Sequence, residues 1–217
     1  MLRIKTFTFN PFQENTYVLS NGQEAIIIDP GCYEDHEQQE LDDYIAAEHL
    51  KPVLLINTHG HIDHVLGNDH VKTRYQIPLA IHAADVPVLK AVKAYASNYG
   101  FPAYAEAEPD RILTEGETIR LGDTSCSVMF LPGHAPGHIG LYFKAEGKLI
   151  SGDVLFRESI GRTDLPGGDH GTLIQSITQQ VFRLPDEVEV FPGHGPTTTV
   201  GHEKIHNPWC GAAANMG

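Results

Sequence analysis

Cysteine is scarce in this chain of 217 residues: Cys32, Cys126 and Cys210 are the only three. They are odd in number and form no C-x-x-C pair, which argues against a disulfide framework. They read as free thiols in a reducing cytoplasm. Long apolar runs are also missing, and no stretch approaches the ~20 residues of a membrane-spanning helix. The first seven residues alternate like a strand and lack the apolar core and cleavage site of a signal peptide. Excess positive charge is absent too. Fifteen Lys and Arg face 28 Asp and Glu, for a formal net charge of −13. That argues against nucleic acid as the main partner, because phosphate binding needs a basic surface. Bound divalent cations would reverse the sign locally, so an anionic substrate stays open. There is no short internal repeat and no low-complexity linker. The length suits one large domain or two small ones, and a single domain spanning 1–217 is the simplest reading.

Histidine is concentrated. His59, His61 and His64, with Asp63, fall within six consecutive positions directly after the apolar run Val53–Ile56 and Asn57. Packing does not ask for that much ligand chemistry at one strand end, whereas a divalent transition metal does. The pattern recurs three times. Val128–Leu131 runs into Pro132-Gly133-His134, Lys148–Ile150 into Ser151-Gly152-Asp153, and Glu189–Phe191 into Pro192-Gly193-His194. If these strand ends share one edge of a sheet system, His59, His61, Asp63, His64, His134, Asp153 and His194 converge. Seven ligands exceed what one zinc takes. They fit two metals sharing a carboxylate, with the ions roughly 3.5–4 Å apart.

Alternation and periodicity predict strands over 2–9, 15–20, 24–28, 53–57 and 78–82, then 117–121, 124–131, 139–144, 147–151 and 187–191. Helices are expected over 34–49, 63–75, 84–97 and 172–184; the last carries Leu173, Ile174, Ile177, Val181 and Leu184 on one face. Residues 83–110 read equally as a lid over the metal edge or as a packed connection. The tail from Pro196 shows no period. Strands interrupted by a few helices suggest two packed sheets with helices outside.

The motifs His-x-His-x-Asp-His at 59–64, Pro-Gly-His at 132–134, Gly-Asp at 152–153 and Gly-His at 193–194, with Asp29 in Asp-Pro-Gly, resemble the metallo-β-lactamase superfamily. They run in the family's order. The resemblance implies an α/β (α+β) fold, an αββα sandwich with metals at one edge. Within that superfamily the chain looks like the glyoxalase II (hydroxyacylglutathione hydrolase) branch. The resemblance assigns one metal to His59, His61, His134 and Asp153, and a second to Asp63, His64, His194 and Asp153. It makes Asp29 a hydrogen-bonding support for a ligand loop and His138 a structural or supporting residue. It implies two divalent ions, zinc first, with iron or manganese as alternatives.

The chain departs from that branch in three places. Only 23 residues follow His194, so no helical glutathione-binding domain is expected. Asp164 and Pro196 stand where the branch places aromatic residues. Arg162 matches a basic position and is a candidate for binding a substrate carboxylate, with an ion pair to Asp164 or Asp169 as the alternative.

The implied reaction is hydrolysis of a small-molecule thioester, S-D-lactoylglutathione or a related hydroxyacyl thioester. A hydroxide bridging the metals attacks, and Asp63 orients it and accepts its proton. Two alternatives remain: a persulfide dioxygenase with one iron on His59, His134 and Asp153, and a lactone or ester hydrolase on the same centre. No nucleic acid or membrane partner is expected.

Overall fold

Lys51–Ile56 forms the strand that carries the ligand motif, and its neighbours decide where that motif points. The computed structural model describes residues 2–215. The described residues group into two units. The first comprises residues up to Leu113 together with Arg120–Ser125; the second comprises Thr114–Ile119 and residues from Cys126 on.

In the first unit the chain order is β1 (Arg3–Phe9), β2 (Glu14–Ser20), β3 (Glu24–Ile28), α1 (Asp35–Ala47), β4 (Lys51–Ile56), α2 (Ile62–Val65), α3 (Asn68–Tyr75), β5 (Leu79–His82), α4 (Val86–Tyr95) and β6 (Arg111–Leu113). The strands form a six-stranded sheet in the order β1-β2-β3-β4-β5-β6. Strands β3 to β6 run parallel. Their C-terminal ends therefore lie on one edge, and Asp29, the 58–64 motif and Asp85 follow β3, β4 and β5 there. The β1–β2 and β2–β3 pairs are antiparallel, which brings Asn10 and Glu14 to the same edge. Phe7, Ile27, Leu41, Leu55, Ile81 and Leu89 are among the residues of this unit's core.

The chain continues through β7 (Thr118–Leu121), β8 (Thr124–Phe130), β9 (Ile139–Phe143), β10 (Lys148–Gly152), β11 (Leu155–Phe156), β12 (Ser159–Ile160), α5 (His170–Gln179), β13 (Glu189–Pro192), β14 (Thr198–Thr199) and α6 (Val200–His206). The second six-stranded sheet has the order β14-β13-β10-β9-β8-β7. Strand β9 is antiparallel to both β8 and β10, and β10 is parallel to β13. So β8, β10 and β13 run the same way, and His134, Asp153 and His194 follow their C-terminal ends. Leu131, Leu149, Leu173, Ile177, Val190 and Val200 pack together as this unit's core.

Four expectations about elements need correction. The helix over 172–184 is α5, His170–Gln179, followed by a 3-10 turn at Val181–Arg183, so Val181 and Leu184 lie beyond it. The helix over 63–75 is two pieces, α2 and α3, broken at Leu66-Gly67. Gly67 N–H donates to the Pro30 carbonyl at 2.7 Å instead of continuing the helical ladder. A Cβ there would lie 2.5 Å from Cys32 Sγ, so the close approach demands glycine. The helix over 84–97 is α4 flanked by 3-10 turns at Ala83–Asp85 and Ala96–Tyr99. The tail, without period in the sequence, folds as β14 and α6. Thr199 Oγ1 caps α6 by accepting from His202 N–H at 3.1 Å.

Candidate metal centre

Each unit brings its own set of ligand-type side chains to one edge of its own sheet. In the first unit the organiser is Asp29, which is almost fully buried. Its backbone takes the left-handed conformation, φ 48°, and turns the carboxylate toward the β4 end. Thr58 N–H donates to Asp29 Oδ1 at 2.7 Å, and the Thr58 hydroxyl donates to Oδ2 at 2.6 Å. His64 Nδ1 lies 3.2 Å from the same Oδ2. The carboxylate accepts only, so Nδ1 carries a proton toward it. His64 Nε2 faces Asp63 Oδ2 at 3.6 Å.

The same logic reaches His59. The Thr58 hydroxyl gives its hydrogen to Asp29 and accepts from His59 Nδ1 at 3.0 Å. His59 then presents Nε2. Its ring centroid is 4.8 Å from that of His61 and 4.2 Å from that of His64. Ligand-type atoms of Asp29, His59 and His64 lie within 4.8 Å of one another. Asp29 already accepts the three contacts just described, so it supports the loop and is not a primary ligand.

Further residues hold this loop that the sequence reading did not single out. Asp85 is fully buried after β5 and accepts from Gly60 N–H at 2.7 Å. Asn10 donates through Nδ2 to the carbonyls of Gly31 and Asp63, at 3.1 and 3.0 Å. Glu14 is fully buried, 3.8 Å from His64 Nδ1, and burial pushes its carboxyl well above the usual range. None of the three belongs to a motif. Their only signal is a polar residue close to a strand end on the ligand edge.

In the second unit the organiser is Asp153. Its Oδ2 lies 3.5 Å from His134 Nε2 and 3.5 Å from His194 Nε2. His134 Nδ1 is 2.8 Å from the Arg162 carbonyl, an acceptor, so Nδ1 carries the proton. His138, fully buried, accepts the Asp153 backbone N–H at Nε2, 2.9 Å away. Its role is to hold the turn that presents Asp153. Gly133 makes the preceding turn possible with φ 131°; a Cβ there would sit 2.2 Å from the Leu173 nitrogen. The Arg162 side chain points to Asp164 in a two-pronged ion pair of 2.7 and 2.8 Å. That pairing holds the Asp164 carboxyl down at about 2.

These donors fit transition-metal ions. His134 brings Nε2 to 3.5 Å from an Asp153 oxygen, and His64 brings Nε2 to 3.6 Å from an Asp63 oxygen. Mixed imidazole and carboxylate donors of this kind suit zinc, iron or manganese.

The sequence profile of the metallo-beta-lactamase superfamily matches residues 9–194. The chain therefore belongs to that superfamily and has its mixed α/β fold. Among its relatives is the "Probable metallo-hydrolase YqgX" of Bacillus subtilis, 36% identical over 200 residues, 92% of this chain and 93% of the relative. Another is the "Hydroxyacylglutathione hydrolase GloC" of Haemophilus influenzae, 35% identical over 211 residues, 96% of this chain and 98% of the relative. Of solved structures, BLEG-1 B3 metallo-beta-lactamase aligns with a TM-score of 0.87 at 39% identity, covering 96% of this chain and 99% of that one. TTHA1623 in a di-iron-bound form aligns at 0.83 and 36%, covering 94% and 98%. Together with the ligand sets, these relatives mark the chain as a metallo-hydrolase. Among the described residues, no helix is long and apolar enough to cross a membrane.

Proposed function

We propose that the two ligand sets serve one binuclear centre that hydrolyses a small-molecule thioester. S-D-lactoylglutathione or a related hydroxyacyl thioester is the substrate class. The observation that carries this reading is Asp153, whose single oxygen lies 3.5 Å from the Nε2 atoms of two histidines. That is the placement a shared carboxylate needs. In this reading His59, His61 and His134 hold one ion, Asp63, His64 and His194 hold the other, and Asp153 joins both. The hydroxyacylglutathione hydrolase among the relatives supports the thioester as substrate.

Two divalent ions, zinc first with iron or manganese as alternatives, would bring the pKa of a water between them down toward about 7 and polarise the acyl oxygen. The protein's own residues do the rest. Asp63 orients the attacking water and takes up its proton. Asp29 and Thr58 fix the ring orientations of His59 and His64, while the Arg162 carbonyl and His138 fix His134 and Asp153. Asp164 takes Nε and one terminal nitrogen of Arg162, and the guanidinium's further donors suit a carboxylate of an anionic thiol carrier. We place the protein in the cytoplasm, where the free thiols of Cys32, Cys126 and Cys210 stay reduced.

The test is metal content per chain together with thiol release from S-D-lactoylglutathione. Near two metals with rapid release is the expected result. Near one iron, with oxygen consumed on glutathione persulfide and no thiol release, would overturn it. The 39% identity to a B3 metallo-beta-lactamase favours a second reading, cleavage of a lactam amide. A β-lactam opened by the same preparation, with thioesters left intact, selects it.

A further inference from the structure

Helix α6 carries the run His202-Glu203-Lys204-Ile205-His206. On a helix, two histidines four residues apart lie one above the other on the same face, a spacing that chelates a transition metal. The two rings are together, with centroids 4.6 Å apart and planes tilted by 36°. A carboxylate stands beside them. His202 Nε2 donates to Glu158 Oε1 at 2.9 Å, and Glu158 comes from the turn between β11 and β12. Two imidazoles and one carboxylate are a set that zinc takes, with a fourth position left to water. None of these three residues belongs to the ligand sets above, and α6 lies outside residues 9–194, which the superfamily profile matches.

The carboxylate is positioned from behind. Glu203, the second residue of the run, is fully buried. It accepts from the Thr198 hydroxyl at 2.5 Å, from Asn207 Nδ2 at 2.8 Å and from the Glu158 backbone N–H at 2.9 Å. Asn207 Nδ2 also donates to the Ser159 carbonyl at 3.0 Å. Buried groups therefore tie the β11–β12 turn to α6, with Glu158 in the left-handed region at φ 57°. Support of this kind fixes donors before an ion arrives. The oxygens of Glu203 are occupied in the interior, so it is not placed as the general base that the same five-residue pattern supplies in metalloproteases. The run is suited to holding an ion, not to proteolysis. Lys204 turns to Asp186 in an ion pair of 2.5 Å. Cys210 packs against the second unit's core, and burial pushes its thiol up to about 12, so it stays out of the donor set.

We propose that His202, His206 and Glu158 form a further metal site on the second unit, for a single zinc-type ion. In tetrahedral zinc, donors at about 2.0–2.1 Å from the ion stand about 3.3 Å apart, so the Glu158–His202 contact has little to open. His206 is exposed on the last residue of α6, and its ring can turn onto the ion. The ion takes the place of the proton on His202 Nε2, which leaves to solvent. His202 also lines a cavity of about 470 Å³ whose walls include Glu187, Glu189 and Arg157. Two carboxylates against one guanidinium favour a cation on that side. A bound ion clamps a helix of seven residues, too short to hold alone, onto the β11–β12 turn. Phe156, at the start of that turn, meets the His194 ring edge-on at 6.0 Å. The site is independent of the reaction proposed above.

The test is zinc uptake by the full-length chain, with Zn²⁺ itself as the probe. Wild type and variants are dialysed against the same free zinc, and the bound metal is counted. Wild type is expected to hold one ion per chain more than the double variant His202→Ala, His206→Ala, whatever the candidate centre holds. Calorimetric titration reads the affinity of that ion. Supporting residues alone account for about ten- to hundredfold in metal affinity, so His202→Ala and His206→Ala should each cost about a hundredfold or more. Glu158→Gln should cost about tenfold. His49→Ala, at an exposed position of the first unit, should change nothing. In NMR, the ring resonances of His202 and His206 should shift together as the ion binds. Unchanged metal-free thermal midpoints show that the variants fold, and His206→Ala, at an exposed position, carries the test if His202→Ala does not. Equal uptake by wild type and His206→Ala would overturn the site. So would an added ion that needs His202 and Glu158 but not His206. Magnesium taken up as well as zinc would also overturn it, because a hard cation would mark the carboxylates alone.

Discussion

Asp29 occupies the left-handed region at φ 48°, a conformation that aspartate adopts more readily than most side chains. From there one carboxylate holds the Thr58 amide, the Thr58 hydroxyl and His64 Nδ1. Supports of this kind tune the ligand they touch, so Asp29→Ala should weaken metal affinity about ten- to hundredfold in a chelator competition. Unchanged affinity would show that the loop holds itself. Gly133 offers a stability test. Its φ of 131° and the 2.2 Å approach to the Leu173 nitrogen leave no room for a methyl group. Gly133→Ala should cost about 3 kcal/mol or more in denaturant unfolding. The Arg162–Asp164 pair makes a pH prediction. Arg162 hydrogen bonding depresses the Asp164 carboxyl to about 2. The pair therefore contributes fully above the ordinary aspartate value of about 3.9, and that contribution is lost as pH falls toward 2. In Arg162→Ala, an NMR titration should find the Asp164 carboxyl moved up from about 2 toward the ordinary aspartate range.

Element by element, local pattern carried most of the information, and tertiary contact carried the rest. Alternation and apolar runs locate the long strands to within a residue or two, because a strand buried on both faces must be apolar along its length. The ligand motifs were equally plain, since each follows such a run. The break at Gly67 was not legible, because its cause is the loop carrying Pro30 and Cys32, far away in sequence. Helix α6 was missed because seven residues are too few to show a period; Thr199 was its one signal. Thr199→Ala should cost ~1 kcal/mol, read by thermal unfolding. A midpoint that does not move would mean that packing of Val200 alone fixes the helix. Asp85, Asn10 and Glu14 show the same limit at the site: they matter by where the sheet brings them.

For the whole molecule, a net charge of −13 and carboxylates clustered with imidazoles at the candidate centre lead us to expect that bound metal stabilises the native state. An ion that binds only the folded chain adds about 2.7 kcal/mol at a free concentration one hundred times its Kd. Chelation should lower the thermal midpoint accordingly, and by more at low ionic strength, where carboxylate repulsion is least screened. An unchanged midpoint would mean that the centre contributes nothing to folding. The strand directions carry one further consequence. In each unit the ligand residues gather at one end of the strands, so the turns at the other end are out of their reach. The β2–β3 turn at Gly22 and the β9–β10 turn at Gly147 are of this kind, and both glycines face open space. Those two turns are natural points for epitope tags, inserted reporter domains or new chain termini, which can be grafted without disturbing the chemistry.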